Sequence, residues 1–189
     1  ERPVDVWLRH LNGRRTLSFC RDKKHAARVV GEYNEAGIPT DIISDSTPEK
    51  RRRELLGWMD DDGIWHPGEL ATGKLWVMVC AQILRQGIDI PEVEGIQLVR
   101  RTDSFPLFMQ AVGRGSRPCE RIGKKDCVVV DMVGELTDKH GLPTDHKIWS
   151  LGENAIRDPD GLPLPAPCPT VGCRTYGRGE HCAFCGAPL

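Results

Sequence analysis

The stretch Q-A-V-G-R-G-S-R, residues 110–117, contains two arginines, at positions 114 and 117. If this stretch is helical, residues three apart share one face, so Arg114 and Arg117 point the same way. Guanidinium groups are planar, permanently charged forks that fit the oxygens of a phosphate group. Taken alone, the pair is equally typical of a solvated basic face, so its meaning depends on the neighbouring sequence.

The sequence upstream of the arginines predicts a parallel strand followed by a constrained loop. The apolar run V-M-V-C at 77–80 is typical of a buried parallel strand. Beyond it, Gly87 ends a short helical turn and Pro91 stops regular structure, which leaves Asp89 on a loop at the carboxyl end of that strand. Ligands bind at this edge in open α/β sheets. A second strand, at 95–99, leads on towards the arginines.

Strands and helices also alternate in the first part of the chain. Residues 15–20 and 40–44 are predicted strands, and Asp22 is placed to cap a helix from Lys23 to about Ala36. Residues 46–49, S-T-P-E, predict the start of another helix with the proline just inside it. This alternation predicts an α/β fold, in which helices flank a parallel sheet.

Two of these segments resemble helicase motifs. G-I-D-I-P-E-V at 87–93 resembles motif V of the superfamily-two helicases, the DEAD/DEAH-like ATPases that move on nucleic acid, and Q-x-x-G-R-x-x-R at 110–117 resembles their motif VI. The resemblance covers residues 1–150 and implies a RecA-like C-terminal motor domain of the P-loop NTPase class. Residues 128–143 are most similar to a bacterial or phage subgroup related to nucleotide-excision-repair helicases.

The resemblance implies roles for five residues around ATP. Arg114 and Arg117 would be arginine fingers that reach ATP held by a partner domain, and Gln110 would couple that contact to neighbouring motifs. Gly87 and Asp89 would approach the ribose of the nucleotide. The residues themselves leave simpler readings open: a loop-capping Asp89, a turn glycine at 87 and a surface helix residue at 110.

Nucleic-acid contacts are expected where strands meet helix N-termini, at 20–22 and 46–48, because backbone N–H groups there receive phosphates. Ala81 and Gln82 stand where the RNA-directed branch of the family often has Thr-Asp, which favours DNA over RNA as the partner. The resulting candidates for nucleic-acid binding are Arg21, Thr47 and Gln82.

The sequence lacks the other half of an ATPase site. It contains no G-x-x-x-x-G-K-[ST] loop and no D-E-x-x pair placed to hold magnesium. By resemblance, these parts sit on a preceding motor domain, which would hold ATP and magnesium and be the chain's partner. Alone, the chain is expected not to hydrolyse ATP. It begins with Glu1 rather than methionine, which suggests an excised fragment.

Composition is that of an ordinary cytoplasmic enzyme domain. The 189 residues are 39% hydrophobic and 28% charged, close to globular averages, with a net charge of −1. A nucleic-acid site must therefore be a local patch. No apolar run approaches the ~20 residues that a membrane span needs, so no membrane association is expected.

The C-terminal part predicts a metal-binding tail. A proline-rich linker precedes Cys168-x4-Cys173 and Cys182-x2-Cys185-Gly186, whose four thiolates are typical of a structural zinc ribbon. Disulfides are the alternative, and His181 could replace one cysteine as a ligand. The expected domains are a motor domain at 1–150, a linker at 151–167 and the ribbon at 168–189.

Two further segments were open to more than one interpretation. The arginine triplet at 51–53 is expected to be a solvated helix face, and the tryptophan-bearing loop at 58–68 is expected to pack on the domain rather than serve as an interaction point. The sequence as a whole predicts the C-terminal half of an ATP-dependent DNA helicase or translocase. The alternatives are a non-catalytic scaffold on a degenerate motor fold and a translocase that acts on double-stranded DNA.

Overall fold

A parallel sheet forms the centre of the fold in the computed structural model, which describes residues 1–81, 89–144, 166–170, 173, 176–177, 180–182 and 185–188. Two units are distinguished, Glu1–Val133 and Gly134–Leu189. The domain boundaries expected at 150 and 167 stay a prediction. The strands in the described residues are β1 (Thr16–Cys20), β2 (Thr40–Ser44), β3 (Gly57–Met59), β4 (Trp65–Pro67), β5 (Val77–Ala81), β6 (Gly95–Leu98), β7 (Val128–Asp131), β8 (Ala166–Pro167) and β9 (Tyr176–Gly177).

The helices follow the strands in alternation, as the sequence predicts. They are α1 (Pro3–His10), α2 (Lys23–Glu35), α3 (Glu49–Leu56), α4 (Glu69–Thr72) and α5 (Phe105–Gly113). A short 3₁₀ turn at Glu120–Ile122 precedes β7, and a single π turn spans Glu135–Lys139. No helix in the described part of the chain is long and apolar enough to cross a membrane.

The sheet has the strand order β2-β5-β1-β6-β7, and every neighbouring pair is parallel. The register places both Cys20 and Ser44 opposite Ala81, and Leu98 opposite Asp131. Because parallel strands run in one direction, the segments that follow β2, β5 and β1 leave the sheet side by side at one edge. The predicted α/β fold with a parallel sheet flanked by helices is confirmed.

Helix α2 forms as its sequence predicts. The Asp22 carboxylate accepts a hydrogen bond from the His25 N–H at 2.8 Å, which caps the helix N-terminus. Ala26, Val29 and Tyr33 are fully buried at helical spacing, so one stripe of the helix packs into the core.

Helix α1 was not anticipated from the sequence. Its proline lies in the first turn, where a missing N–H costs no hydrogen bond. Val4, Trp7 and Leu11 are buried, and the Trp7 indole N–H donates to Thr16 Oγ1 at 2.9 Å. The helix thus covers one side of the sheet and its tryptophan is held in a fixed orientation.

A polar cluster in the core ties α1 and α2 to the centre of the sheet. Gln97 on β6 is fully buried, and its side-chain oxygen accepts hydrogen bonds from Ser18 Oγ at 2.9 Å and Tyr33 OH at 2.8 Å. Its amide nitrogen donates to the Pro3 carbonyl at 2.8 Å. A buried amide with all of these partners satisfied specifies one arrangement of the packed elements.

The tryptophan-bearing segment forms an exposed hairpin of β3 and β4, and the expectation that it packs on the domain is wrong. Trp58 is 38% exposed and Trp65 48% exposed. Trp58 stacks on His66 at 4.4 Å, and His66 Nε2 lies 2.8 Å from Asp60 Oδ2. The two strands are three residues each, and β3 begins directly after α3. An open groove of about 310 Å³ lies between this hairpin, α3 and Asp89.

Candidate functional site

The two arginines lie at the end of α5 and just beyond it. Ser104 Oγ caps the helix by accepting the Leu107 N–H at 3.4 Å, and the helix ends at Gly113. Arg114 is the C-cap residue and keeps helical dihedral angles, whereas Arg117 follows a turn. The expectation that both arginines share one helix face is therefore wrong, because the glycines of G-R-G-S-R are poor helix formers.

Gly115 seats the arginine-bearing turn on the sheet. It is buried, and a Cβ atom there would collide with Cys127 Sγ and lie 3.0 Å from Ile96 Cγ1. Only a residue without a side chain allows the backbone to approach β6 and the start of β7 this closely. The positions of both arginines therefore depend on this contact.

We expect Gly115→Ala to destabilise the chain by about 1–3 kcal/mol, because the added methyl group overpacks the contact with Cys127. Denaturant unfolding measures the effect. Gly113→Ala is the matched control: nothing lies within 4 Å of its Cβ position, and alanine favours the helix. Combining Gly115→Ala with Cys127→Ala should recover part of the loss, and strict additivity of the two changes would contradict the packing explanation.

Asp89 and Arg117 form an ion pair between Oδ1 and Nη1. The segments that resemble motifs V and VI are thereby brought together near the beginnings of β6 and β7, since Gly115 packs against Ile96 and Cys127 and Lys124 bonds to both segments. The sequence had indicated the carboxyl edge of the sheet instead. The two side chains are 69% and 41% exposed, and exposed ion pairs contribute at most about 1 kcal/mol. Arg117 can therefore exchange this carboxylate for the oxygens of an incoming phosphate at little cost.

Arg114, the C-cap of α5, is the second arginine of this turn. Burial raises the pKa of Cys80 on β5, and the Arg114 charge acts in the opposite direction, which puts its guanidinium within electrostatic range of the end of that strand. The Gln110 side chain is exposed on α5 and has no hydrogen-bond partner in the described part of the chain. Gly87 and Gln82 lie outside the described residues.

The candidates for nucleic-acid binding follow neighbouring strands. Arg21 comes directly after β1; its side chain is 79% exposed and pairs with the adjacent Asp22 at 2.8 Å. Thr47 comes after β2, and the position of Gln82 in the sequence is directly after β5. Since β5 lies between β2 and β1, the three segments depart from adjacent places on one edge.

Thr47 already has a local structural role. Its Oγ1 accepts a hydrogen bond from the Ser44 N–H at 2.8 Å, and its own N–H donates to the Ser44 carbonyl at 3.1 Å. Pro48 is the N-cap of α3 rather than a residue inside it, because this turn holds the chain extended up to Pro48. The hydroxyl shapes the junction from which any phosphate contact would be made.

Arg51 is a structural ion-pair hub, so the expectation of a solvated arginine triplet is wrong for this residue. Its guanidinium contacts Glu69 at 2.8 Å, Asp41 at 2.5 Å and Glu54 at 3.0 Å, which joins α3 to β2 and α4. These carboxylates, Glu69 first, raise the pKa of Arg51. Arg53 fits the expected solvated face, since its side chain is 57% exposed.

Two basic residues that sequence reasoning missed also touch this region. Arg121 pairs with the buried Glu92, and Lys124 bonds to backbone carbonyls on both loops. Their partners are distant in the sequence, so no local pattern indicates them.

The four C-terminal cysteines converge in the second unit. Their sulfur atoms all lie within 4.8 Å of one another, with Cys168 Sγ 3.5 Å from Cys185 Sγ and Cys173 Sγ 3.6 Å from Cys182 Sγ. None of the four forms a disulfide bond, which disfavours the disulfide alternative. A tetrahedral zinc with Zn–S bonds of about 2.3 Å separates its sulfurs by about 3.8 Å. The cluster therefore fits a zinc ion.

The turn around Cys185 has the form of a metal knuckle. Gly186 adopts a φ of 74°, a left-handed conformation that suits glycine, and its N–H donates to the Cys182 carbonyl at 2.8 Å. Hydrogen bonds, chiefly from the Ala187 N–H and also from the Thr170 hydroxyl, lower the pKa of Cys185. The hydrogen bonds to Cys185 favour a thiolate, the form that binds a metal. Cys168, Cys173 and Cys182 are buried.

A parallel five-stranded sheet flanked by helices and an arginine-bearing turn that meets a loop aspartate define a RecA-like motor domain of the helicase class. The model of the helicase conserved C-terminal domain matches residues 3–119, and the chain belongs to this family. A Schizosaccharomyces pombe protein, provisionally described as mitochondrial ATP-dependent helicase irc3, is 28% identical over 166 residues, 82% of this chain and 25% of its own length. A 51.5 kDa protein of Lactococcus phage (isolate 7-9) is 25% identical over 146 residues, 77% of this chain and 29% of its length.

A solved structure confirms the fold. The Escherichia coli DEAD-box protein SrmB superposes with a TM-score of 0.52 at 21% identity, covering 70% of this chain and 71% of the other. The likeness concerns the fold alone. The chain spans between a quarter and a third of the curated relatives above, so it corresponds to one part of such proteins.

Proposed function

We propose that this chain is the C-terminal motor domain of an ATP-dependent DNA helicase or translocase. The observation that carries the proposal is the Asp89–Arg117 ion pair, which joins the loop that resembles motif V to the turn that resembles motif VI beside the parallel sheet. The family match and the ATP-dependent helicase named among the relatives support it.

In this proposal the chain completes an ATP site held mainly by another domain. The transferred γ-phosphoryl group carries spread negative charge, and positive groups aimed at it lower the barrier. Arg114 and Arg117 are the arginine fingers. Gln110 links the phosphate contact to its neighbours, and Gly87 and Asp89 approach the ribose. Bound magnesium, held by the other domain, would neutralise phosphate charge.

Closing and opening of the two motor domains would move the chain along nucleic acid. When the domains close over ATP, Arg117 leaves Asp89 for the phosphate, and hydrolysis reverses the exchange. Arg21, Thr47 and Gln82, at adjacent strand ends, contact the backbone of the tracked strand. Ala81-Gln82 in place of Thr-Asp favours DNA over RNA. The cysteine cluster holds a structural zinc, since all four ligand positions are filled by protein.

ATP hydrolysis by this chain and by the intact protein, each with and without single-stranded DNA or RNA, tests the proposal. We expect the chain alone to be inactive, since it lacks a phosphate-binding loop. The intact protein should hydrolyse ATP, with stronger stimulation by DNA than by RNA.

The outcomes separate the parts of the proposal. Stimulation by RNA alone would contradict the DNA assignment but would still support the assignment as a motor domain. An intact protein that is inactive with either nucleic acid would contradict the motor and favour a scaffold on the same fold. Strand-displacement assays then distinguish a helicase from a translocase that steps without unwinding.

A further inference from the structure

Lys124 joins the two loops that face the proposed ATP site. Its ammonium group donates to the carbonyl oxygens of Arg117 at 2.7 Å, Gly115 at 2.8 Å and Pro91 at 3.1 Å. A lysine ammonium has three N–H donors, so each one is used. One side chain thus holds the arginine-bearing turn at two points and the Asp89 loop at a third.

A second contact strengthens the same link. Arg121, three residues before Lys124, pairs with Glu92, whose side chain is only 7% exposed. Charge-assisted hydrogen bonds of this kind, partly shielded from water, are stronger than exposed ion pairs. Two residues of this segment therefore contact the loop after Asp89: Arg121 binds the Glu92 side chain, and Lys124 binds the Pro91 carbonyl.

The side-chain hydrogen bonds of Lys124 lie outside the sheet. The side chain is half-buried, and burial lowers the pKa of Lys124. None of its three acceptors belongs to a strand, so its bonds order loops rather than the core. The residue also lies beyond residues 3–119, the part of the chain that the family model covers.

We infer that Lys124 is a positioning residue that holds the Arg114–Arg117 turn and the Asp89 loop at a fixed separation, so that the arginine fingers are pre-aligned for ATP. It touches neither substrate nor phosphate and acts through the backbone of Gly115 and Arg117. This inference rests on the proposed function. A misplacement of about 1 Å at a reacting group is enough to lower a rate by about 10²-fold.

The test compares Lys124→Met, Lys124→Arg and Lys125→Met in the intact protein. Lys125 is the matched control, because it is the adjacent lysine and is exposed. For Lys124→Met we expect kcat of the DNA-stimulated ATPase to fall by about 10- to 100-fold per folded molecule, with KM for ATP changed by less than about twofold. Lys124→Arg should recover only part of the rate, because a planar fork does not converge on three carbonyls.

Hydrogen exchange gives a readout that does not depend on activity. In Lys124→Met the amides of residues 89–94 and 114–117 should exchange faster than in Lys125→Met, while those of β1, β5 and β6 stay protected. Rates are expressed per folded molecule, with the folded fraction taken from near-UV circular dichroism.

The outcomes distinguish this inference from the proposed function. If the wild-type intact protein hydrolyses no ATP, the proposed function fails before any variant is compared. If wild type is active and Arg117→Ala is inactive, but Lys124→Met keeps the wild-type kcat and exchange pattern, the inference alone is overturned. A rise in KM with unchanged kcat would also overturn it, since that indicates lost binding rather than lost alignment.

Discussion

Replacing Arg114 or Arg117 by alanine in the intact protein is expected to lower nucleic-acid-stimulated ATP hydrolysis by about 10³- to 10⁵-fold. Each arginine lies in the turn that Gly115 packs against β6, and Arg117 already pairs with an exposed carboxylate that a phosphate could replace. An arginine finger stabilises charge that develops in the transition state, so its loss should appear in kcat more than in KM.

The two arginines need not contribute equally. Arg114 is the C-cap of α5 and its backbone is fixed by the helix, whereas Arg117 depends on the turn after Gly115. Groups that act as one unit are not additive, so the double variant should lose little more than the worse single variant. Steady-state ATPase assays with saturating single-stranded DNA, and DNA binding measured separately, check this.

Arg28→Ala is the control for loss of a positive charge. Its side chain is 70% exposed on α2, and its contact with Glu32 is 3.9 Å long, so we expect an unchanged rate of ATP hydrolysis.

Asp89→Asn should lower the rate of ATP hydrolysis less than Arg117→Ala does, because it removes only the carboxylate that pairs with Arg117 in this structure and one ribose contact. If both arginine variants hydrolyse ATP at nearly the wild-type rate, the finger assignment is wrong.

The regular elements of the fold could be predicted from the sequence, because their signals are local. The bounds of β2 are those that the sequence predicts, and α2 begins after the predicted Asp22 cap. Short apolar runs that alternate with capped helices favour a parallel sheet, and the structure contains one. Val4, Trp7 and Leu11 are three and four residues apart, which is helical spacing. Helix α1 was nevertheless not anticipated from this pattern.

The site was predictable in its motifs but not in its contacts. Arg117 and Asp89 were expected to serve one nucleotide, yet their pairing depends on where α5 ends and on Gly115 packing against Cys127. Arg51 was expected to be a solvated charge, and no local pattern singles out Lys124. Their partners lie up to 18 and 33 residues away along the chain, and only the folded topology brings them close.

The metal prediction has the other large expected effect. A segment of about twenty residues buries too little apolar surface to fold alone, so metal binding would supply its folding free energy, about 10–16 kcal/mol in comparable zinc peptides. The four sulfur atoms already lie within 4.8 Å of one another, and three of the cysteines are buried. Without a metal, thiolates brought this close would repel one another, so the cluster is stable as a metal site rather than as four free thiols.

We therefore expect one zinc ion per chain and loss of ordered structure at the described residues around the four cysteines when a strong chelator removes it. Elemental analysis measures the zinc content, and hydrogen exchange of that segment measures the loss of structure.

Cys173→Ser should weaken zinc binding by more than the roughly 10- to 100-fold typical of lost outer contacts, because it removes a ligand itself. Cys127→Ala, a cysteine outside the cluster, should keep the full metal content. The five-stranded parallel sheet should stay protected throughout, because its core contains none of the four ligands. A metal-free tail that stays protected, or that forms disulfides on purification under reducing conditions, would contradict the zinc assignment and leave the motor assignment intact.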